Sequence, residues 1–231
     1  AWFMHWKKFL LSIILMYKKK KIIAIISARS GSKSIKDKNL SKINGKTLLY
    51  WIIKKALNSK YLDKVFVSTD SQKYQNLSKK YGALCPVLRP KKISGDSSKE
   101  VDYILHLLKY LKKNSSLNPD YIVRLQPTSP FQFISDIDYS IKKIVKNNKA
   151  TSLQVVSEST QSPMKALKIQ NKKYITPYFS NKVNNNVFNR QKLKKAYFRS
   201  NIIISKTKYV LKYKDDIGIK SLFYNITPYR S

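Results

Sequence analysis

The sequence predicts an α/β fold in which a mostly parallel sheet is flanked by helices. Short apolar runs that suit strands alternate with amphipathic stretches that suit single helices. The strand-like runs are apolar throughout, as expected for strands that are covered on both faces. Strands separated by single helices form parallel βαβ units, so the order of elements predicts a doubly wound sheet.

The first half of the chain contains three strand-like runs and two helical stretches. "IIAIIS" (22–27) is a continuous apolar run, and "KVFVS" (64–68) predicts a second strand. Residues 71–81 suit a short helix, and "ALCPVL" (83–88) suits a short strand. Residues 48–57 predict a helix whose apolar side chains share one face. These side chains are Leu48, Leu49, Ile52, Ile53, Ala56 and Leu57.

The next segment continues the same alternation. Residues 100–113 predict an amphipathic helix, and His106 falls off its apolar face, so we expect His106 at the surface. "YIVRL" (121–125) predicts another buried strand, Ser135 is expected to cap a further helix, and "TSLQVV" (151–156) predicts a strand. The inward residues of the two helices are expected to be Val101, Ile104, Leu105, Leu108 and Leu111, and then Ile137, Ile141, Ile144 and Val145.

The order loosens after about residue 158. "KALKIQNKKYITPYF" predicts a hairpin with polar "QNKK" at its tip, and residues 197–205 predict a strand that returns to the sheet. We therefore expect residues 22–231 to form one domain, with a small hairpin insert at about 157–195.

Residues 1–21 are expected to be an extension outside the fold. Their apolar run, residues 9–16, is too short for a spanning helix, which needs about 20 residues. Lysines follow that run where a signal peptide needs small residues. We expect the natural start to lie near Met16, with an interfacial anchor as the alternative.

The composition argues against several classes of function. The formal net charge is +35, but of 47 basic residues only six are arginines and 41 are lysines, dispersed along the chain. This pattern is typical of a codon bias rather than of nucleic-acid binding, so no nucleic-acid partner is expected. Cys85 is the single cysteine, which excludes an intramolecular disulfide and fits a cytoplasmic location. Two histidines make a Ser-His-Asp triad or a Cys/His zinc site improbable.

Polar, turn-rich segments follow four of the strand-like runs. They are "SARSGSKSIKDKN" (27–39), "STD" (68–70), "RP" (89–90) and "QPTSP" (126–130). Because ligands bind outside the carboxyl ends of parallel strands, these segments are expected to meet at one rim. The first segment supplies cations, and its Gly31 lets the backbone approach a ligand. The pattern predicts a polyphosphate site, although a merely basic loop is the simpler alternative in a lysine-rich chain.

Two common nucleotide motifs are absent. "NGKT" (44–47) resembles the end of a P-loop, but Leu40 stands where the first glycine is required. No G-x-G-x-x-G occurs, so there is no dinucleotide fingerprint.

The motifs resemble those of one family. "SARSGSKSIKDKNL", "VSTD", "VLRP", "LQPTSP", "RQ" and "YFRSN" occur in the order and spacing of the acylneuraminate cytidylyltransferases, also called CMP-sialic acid synthetases. The resemblance runs from about residue 22 to residue 231. It implies a Rossmann-like fold of the nucleotide-diphospho-sugar transferase type and a reaction in which the C2 hydroxyl of an acidic nine-carbon sugar attacks the α-phosphorus of CTP.

The resemblance also assigns roles to individual residues. It places the nucleotide near Arg29, Ser32, Lys33, Lys38, Asn39, Arg89, Asp96 and Ser97, with Arg29 and Lys38 as the catalytic cations. It places the sugar near Gln126, Thr128, Ser129, Lys165 and Arg199. Arg190 and Gln191 match the "RQ" pair, for which we expect a role in site closure or in a homodimer interface.

The sequence departs from the family pattern in three places. Ser34 stands where the family usually has glycine, and Ser200 and Ile202 stand where it has a proline-glycine-like turn. The acidic D-x-D pair that holds Mg²⁺ in the family is expected beyond Ser231, which implies a truncated C-terminus. Asp70 remains as one metal-side carboxylate. Asp215 and Asp216 lie in "KYKDDIGIK", which is typical of a surface loop.

Several hypotheses therefore stay open at the level of sequence. The leading one is cytidylyl transfer to a sialic-acid-like sugar with Mg²⁺, in a cytoplasmic homodimer that has no membrane partner. The alternatives are a nucleotidyltransferase for another keto-acid sugar, such as an eight-carbon one, and a catalytically impaired nucleotide-binding remnant.

Overall fold

The structure is a computed structural model that describes residues 17–31, 35, 37–179 and 194–231. Its strands are β1 (Ile22–Ser27), β2 (Lys42–Ile43), β3 (Lys46–Thr47), β4 (Lys64–Ser68), β5 (Tyr121–Leu125), β6 (Ser152–Glu158), β7 (Leu167–Gln170), β8 (Tyr174–Pro177), β9 (Tyr197–Lys206) and β10 (Ser221–Ile226). Its α-helices are α1 (Leu48–Leu57), α2 (Gln72–Lys80), α3 (Glu100–Asn114), α4 (Ile134–Val145) and α5 (Thr207–Tyr213).

Six strands form the central sheet in the order β10-β6-β9-β5-β1-β4. The strands β4, β1 and β5 are parallel, and Ile25 of β1 pairs with Phe66 on one side and Arg124 on the other. β10 runs parallel to β6, whereas β9 is antiparallel to both β5 and β6. The predicted mostly parallel α/β fold is confirmed.

Helices cover both faces of this sheet. Ala24 and Ile26 of β1 belong to the core cluster that includes residues of α1, α2 and α4. Ile23 and Ile25 belong to a second cluster, with residues of α3 and α5. Because each face of β1 is covered, its apolar run is buried, and each buried Ile side chain contributes roughly 1.5–3 kcal/mol.

The helix starts show one cap that the sequence analysis did not predict and correct the one that it did. The hydroxyl of Thr47 accepts a hydrogen bond from Tyr50 N (3.1 Å) at the start of α1. At α4 the predicted cap Ser135 is wrong, because the helix begins one residue earlier, at Ile134. The carboxylate of Asp136 instead accepts a hydrogen bond from Phe133 N (3.0 Å).

The predicted strand at 83–88 is also wrong. Only Leu84 makes a bridge, to Phe66 of β4, through backbone hydrogen bonds of 2.8 Å to Val65 and Val67. The carbonyl of Cys85 accepts instead from Gln75 Nε2 (2.8 Å), and Pro86 has no N–H to continue a ladder. The segment therefore makes a single bridge beside the edge strand β4 and does not form a strand.

Three of the positions assigned in the helices differ in the structure, and Tyr103 and Leu107 of α3 are buried although they were not predicted to be. Leu57 at the end of α1 is exposed, and Leu105 of α3 is only partly buried. His106 is half-buried rather than at the open surface. Burial lowers the pKa of His106, and the nearby charges of Arg89 and Lys109 lower it further.

The predicted hairpin is present as β7 and β8, paired antiparallel. Its turn contains Asn171 and Lys172, both with positive φ (51° and 57°). The apolar side chains of Ile169 and Ile175 are exposed, so this hairpin does not pack on the sheet core.

Residues 17–21 contact the domain. The rings of Tyr17 and Tyr61 lie 4.6 Å apart, and Lys20 pairs with Asp120 at 3.0 Å. Residues 1–16 lie outside the described residues. Within the described part of the chain, no helix is long and apolar enough to cross a membrane.

Candidate functional site

A cleft of about 260 Å³ lies at the carboxyl ends of β1, β4 and β5. In chain order β4 forms on one side of β1 and β5 on the other, so the cleft sits where the strand order reverses. The predicted site residues that line it are Arg29, Lys38, Asn39, Arg89, Asp96, Gln126 and Thr128. The rim segments are thus brought together, while the chemical role of each residue stays a prediction.

Other predicted residues lie outside the cleft lining. Ser97 is exposed, and its neighbour Ser98 lines the cleft instead. Ser129 is buried behind the rim, and Lys165 and Arg199 are exposed on other elements. The predicted residues Ser32, Lys33, Arg190 and Gln191 lie outside the described residues.

The loop after β1 is held by side chains from its surroundings. Ser30 donates from its backbone N to Asp70 Oδ1 (2.9 Å) and from its hydroxyl to Asp70 Oδ2 (3.0 Å). Asn39 Nδ2 donates to the carbonyl of Arg29 (3.0 Å). Both ends of the basic loop are therefore fixed to the rim, which orients Arg29 toward the cleft.

Lys38 is positioned through its neighbour Asp37. Asp37 has a left-handed backbone (φ 51°) and starts the short 3-10 helix Lys38–Leu40. The hydroxyl of Tyr74 donates to Asp37 Oδ1 (2.9 Å). Burial and the nearby carboxylate raise the pKa of Tyr74, so its hydroxyl stays protonated and keeps donating.

Arg89 is buried behind the cleft and keeps its charge. Its guanidinium donates to Ser27 Oγ (2.9 Å), Ser68 Oγ (3.1 Å) and Ser68 O (2.6 Å), all uncharged acceptors. It also lies over the ring of Tyr103, 4.6 Å from the centroid. Burial lowers the pKa of Arg89, yet arginine remains protonated at any ordinary pH. The buried guanidinium of Arg89 therefore adds a permanent positive charge to the wall of the cleft.

Arg29 faces a carboxylate across the cleft. Its guanidinium lies 2.6 Å from Asp96 Oδ1 and donates to Ser94 O (3.5 Å). Ser94 and Asp96 belong to the turn that follows Arg89, so this contact closes the loop after β1 against that turn.

The sequence did not predict a charged network beside Gln126. Arg124, in the middle of β5, pairs with Asp216 Oδ2 (3.1 Å) and with the carboxylate of Glu100. Gln126 Nε2 donates to Glu100 Oε1 (2.6 Å). The expectation that Asp216 lies in a surface loop is wrong, because the pair with buried Arg124 draws it inside. A basic residue in an otherwise apolar strand was the one signal that a buried carboxylate must exist.

The region predicted for the sugar adjoins the cleft through β9. Asn201 Nδ2 donates to Thr128 Oγ1 (3.3 Å) and to the hydroxyl of Ser129. Gln132 Nε2 donates to Ser200 Oγ (2.9 Å). Arg199 precedes these residues on the same strand, so the "QPTSP" loop and the start of β9 form one surface.

The carboxylates of the described residues do not form a metal centre. No group of three or more His, Cys, Asp or Glu side chains with metal-ligand geometry occurs among them. Each oxygen of Asp70 already accepts a hydrogen bond from Ser30, and Asp96 and Glu100 pair with arginines. The described residues therefore contain no preformed cluster of carboxylates for a metal, and Asp70 as a single Mg²⁺-side carboxylate stays a prediction.

A cleft lined by cations at the switch point of a doubly wound sheet is typical of α/β proteins that bind nucleotides. The family profile described as cytidylyltransferase matches residues 23–228. The chain belongs to this cytidylyltransferase family, and the resemblance given by the motifs is confirmed.

Individual relatives are similar over part of their length. An N-acylneuraminate cytidylyltransferase of Escherichia coli is 40% identical over 124 residues, which are 53% of this chain and 28% of that protein. A CMP-N,N'-diacetyllegionaminic acid synthase of Legionella pneumophila is 34% identical over 139 residues, 60% of this chain and 58% of that protein. The chain thus matches about a quarter to somewhat over half of these relatives.

The fold is shared with more distant proteins. The solved structure of CMP:2-keto-3-deoxy-manno-octonic acid synthetase complexed with CTP superposes with a TM-score of 0.64, at 14% identity and over 90% of both chains. At this identity the likeness extends to the fold only.

Proposed function

We propose that this chain is a nucleotidyltransferase that joins CMP from CTP to the anomeric hydroxyl of a sialic-acid-like nonulosonic acid and releases pyrophosphate. One observation carries the proposal: in a chain matched by the cytidylyltransferase profile, Arg29, Lys38, Asn39 and Gln126 line a single cleft at the switch point. The relatives named for sialic and legionaminic acids support the class of acceptor.

In this proposal the triphosphate lies against the loop after β1. Arg29 and Lys38 offer charged donors to the phosphate oxygens, and buried Arg89 adds a fixed positive charge behind them. The sugar hydroxyl attacks the α-phosphorus, the bond from that phosphorus to the bridging oxygen breaks, and the pyrophosphate takes the electron pair. The hydroxyl proton passes to solvent water in the same exchange. Such a transfer depends on positioning and charge neutralisation, which suits a cleft whose described lining contains no histidine.

The acceptor sugar is proposed to lie over the "QPTSP" loop and the start of β9. Gln126 and Thr128 line the cleft, and Ser129 contacts Asn201. Arg199 is exposed on that same surface, two residues before Asn201, where a cation suits the sugar carboxylate. Lys165, also exposed, is the second cation that we propose for the acceptor.

Three accompanying predictions concern the assembly and its surroundings. We expect a homodimer, because the β7–β8 hairpin exposes Ile169 and Ile175, and sedimentation at micromolar concentration tests this. A cytoplasmic location remains a prediction as well. The Mg²⁺ requirement also stays a prediction, and titrating Mg²⁺ into the CTP-bound chain tests it.

The test of the proposed function is release of pyrophosphate from CTP. The chain is assayed with N-acetylneuraminate, a legionaminic acid, a pseudaminic acid and an eight-carbon keto acid, and CTP without sugar is the control. We expect release with at least one nine-carbon acid and none without sugar. Release with the eight-carbon acid alone would overturn the substrate class, and no release with any acid would overturn the enzymatic activity.

A further inference from the structure

The cleft contains a carboxylate that the triphosphate does not explain. Glu100, the first residue of α3, lines the cleft together with Arg29 and Lys38. Its side chain is 52% exposed, so the carboxylate is open to the cleft. A carboxylate repels phosphate oxygens, so in the proposed complex it must face the uncharged part of the nucleotide.

Arg124 does not need Glu100 for neutrality. Arg124 and Asp216 are both buried, with side-chain exposures of 6% and 10%, and their pair balances one positive charge with one negative charge. Glu100 adds a second carboxylate to the same guanidinium, so its negative charge is not needed to balance Arg124. Arg199 is a further cation near this pair, and Glu100 is the exposed member of the network.

The network also fixes the direction of the Glu100 carboxylate. The guanidinium of Arg124 contacts one oxygen, and Gln126 Nε2 donates to the other (2.6 Å). An ionised carboxylate has about four acceptor sites, so about two remain for a ligand. Because both oxygens of the Glu100 carboxylate are held in place and can still accept hydrogen bonds, the carboxylate is preorganised to bind an N–H donor.

The ligand chemistry follows from the difference between the two pyrimidines. Cytosine has an exocyclic amine, and Glu or Asp accepts a hydrogen bond from that amine in known base recognition. Uracil has a carbonyl oxygen at the same position, which would face the carboxylate without a proton between them. A site built to accept a donor rejects an analogue that lacks the donor more strongly than an apolar pocket would.

We propose that Glu100 selects cytosine over uracil by accepting a hydrogen bond from the exocyclic amine, while Arg124 and Gln126 hold its carboxylate in place. This inference rests on the proposed function, because it assumes that the nucleotide occupies this cleft. Glu100 is then a specificity-determining residue of the site, and Arg124 and Gln126 are positioning residues.

The experiment measures equilibrium binding of CTP and of UTP by calorimetry, without sugar, to the wild-type chain and to Glu100→Gln. A glutamine amide can turn and donate to the uracil oxygen, so the ratio of the CTP and UTP affinities is expected to fall by about 5- to 150-fold. Asp102→Asn is the matched control, because it removes the same charge from the first turn of α3 at a residue outside the cleft lining. It should keep the wild-type ratio.

A second variant protects the test against misfolding. Glu100→Asp keeps a carboxylate near Arg124 but shortens its reach, so CTP affinity should fall while UTP affinity stays low. An unchanged CTP/UTP ratio in folded Glu100→Gln would overturn the inference and leave the proposed function intact, as would equal loss of both affinities. A wild-type chain that binds neither nucleotide would overturn the proposed function, and this inference with it.

Discussion

Two arginines are buried at the same rim, and the protein treats them in opposite ways. Arg89 donates only to the uncharged oxygens of Ser27 and Ser68 and stacks on Tyr103. Arg124, on strand β5, lies between the carboxylates of Asp216 and Glu100. One buried guanidinium therefore has only neutral hydrogen-bond acceptors, and the other contacts two carboxylates.

The difference shows how one sheet can supply a cleft with both signs of charge. One side of the cleft is backed by the Arg89 guanidinium with its neutral acceptors, and the other side presents the exposed carboxylate of Glu100. A ligand with an anionic part and an amine-bearing part matches both sides at once.

Removing Arg124 should have the largest effect on stability. Arg124→Leu leaves Asp216 buried without a partner, and the free energy of unfolding should fall by about 3–5 kcal/mol. Denaturant unfolding followed by circular dichroism measures the change. Arg124→Leu combined with Asp216→Leu should recover most of it, because a buried pair replaced by apolar residues is close to neutral.

The adjacent Asp215 provides the control for that experiment. It is exposed, so Asp215→Asn should change the free energy of unfolding by about 1 kcal/mol or less. A double variant no more stable than Arg124→Leu alone would show that Asp216 is not the partner that matters.

Removing Arg89 should cost less. Arg89→Met loses three hydrogen bonds and the contact with Tyr103, but it leaves no carboxylate unpaired. We expect the free energy of unfolding to fall by about 2–3 kcal/mol, in the same denaturant assay. A loss larger than that of Arg124→Leu would contradict the contrast between the two arginines.

The exposed cations of the cleft should affect binding rather than stability. Lys38→Ala should weaken CTP binding by about 1–3 kcal/mol, as measured by calorimetry, because it removes a charged donor. Lys42→Ala is the matched control, since Lys42 is exposed on β2 and outside the cleft lining. Equal losses in both variants would indicate non-specific attraction of CTP to a chain with a net charge of +35.

The pKa of His106 depends in part on the charge of Arg89, and its contribution to stability should be the smallest of these effects. Burial and then Arg89 lower the pKa of His106 below its ordinary 6.5, so the unfolded chain binds more protons just below pH 6.5. This contribution to stability is complete above pH 6.5 and is lost as the pH falls through the folded pKa. In Arg89→Met the pKa of His106 should rise toward 6.5, which an NMR titration measures. An unchanged pKa would mean that burial alone sets it.

The sequence predicted those parts of the fold that depend on local pattern. The strand at residues 22–27 was predicted with its bounds, because six residues covered on both faces leave a continuous apolar run. The prediction of a strand at 83–88 was wrong because the Gln75 side chain takes the carbonyl of Cys85 and Pro86 has no N–H to donate. The Ser135 cap failed because Asp136 offered a better acceptor one residue later.

The candidate site divides in the same way. Arg29, Lys38 and Gln126 follow strands that end at one rim, so their convergence followed from the predicted topology. Glu100 and Asp216 were missed, because their partner Arg124 lies 24 and 92 positions away along the chain. Charged residues that pair across a long stretch of chain form no local motif, so their pairing cannot be predicted from the sequence.

Because β9 runs antiparallel to β6, insertions in the connection between them can be accommodated at the rim of the sheet. Glu158 at the end of β6 pairs with Tyr197 at the start of β9, so the connection between them leaves from the rim and returns to it. If β9 were parallel, that connection would have to cross to the opposite edge of the sheet. The segment 159–196, which includes the β7–β8 hairpin, can therefore vary in length and sequence beside the proposed acceptor surface without moving a strand of the six-stranded sheet. Exchange of this one connection would change the proposed acceptor surface and leave the loops after β1 and β5, which line the cleft, as they are.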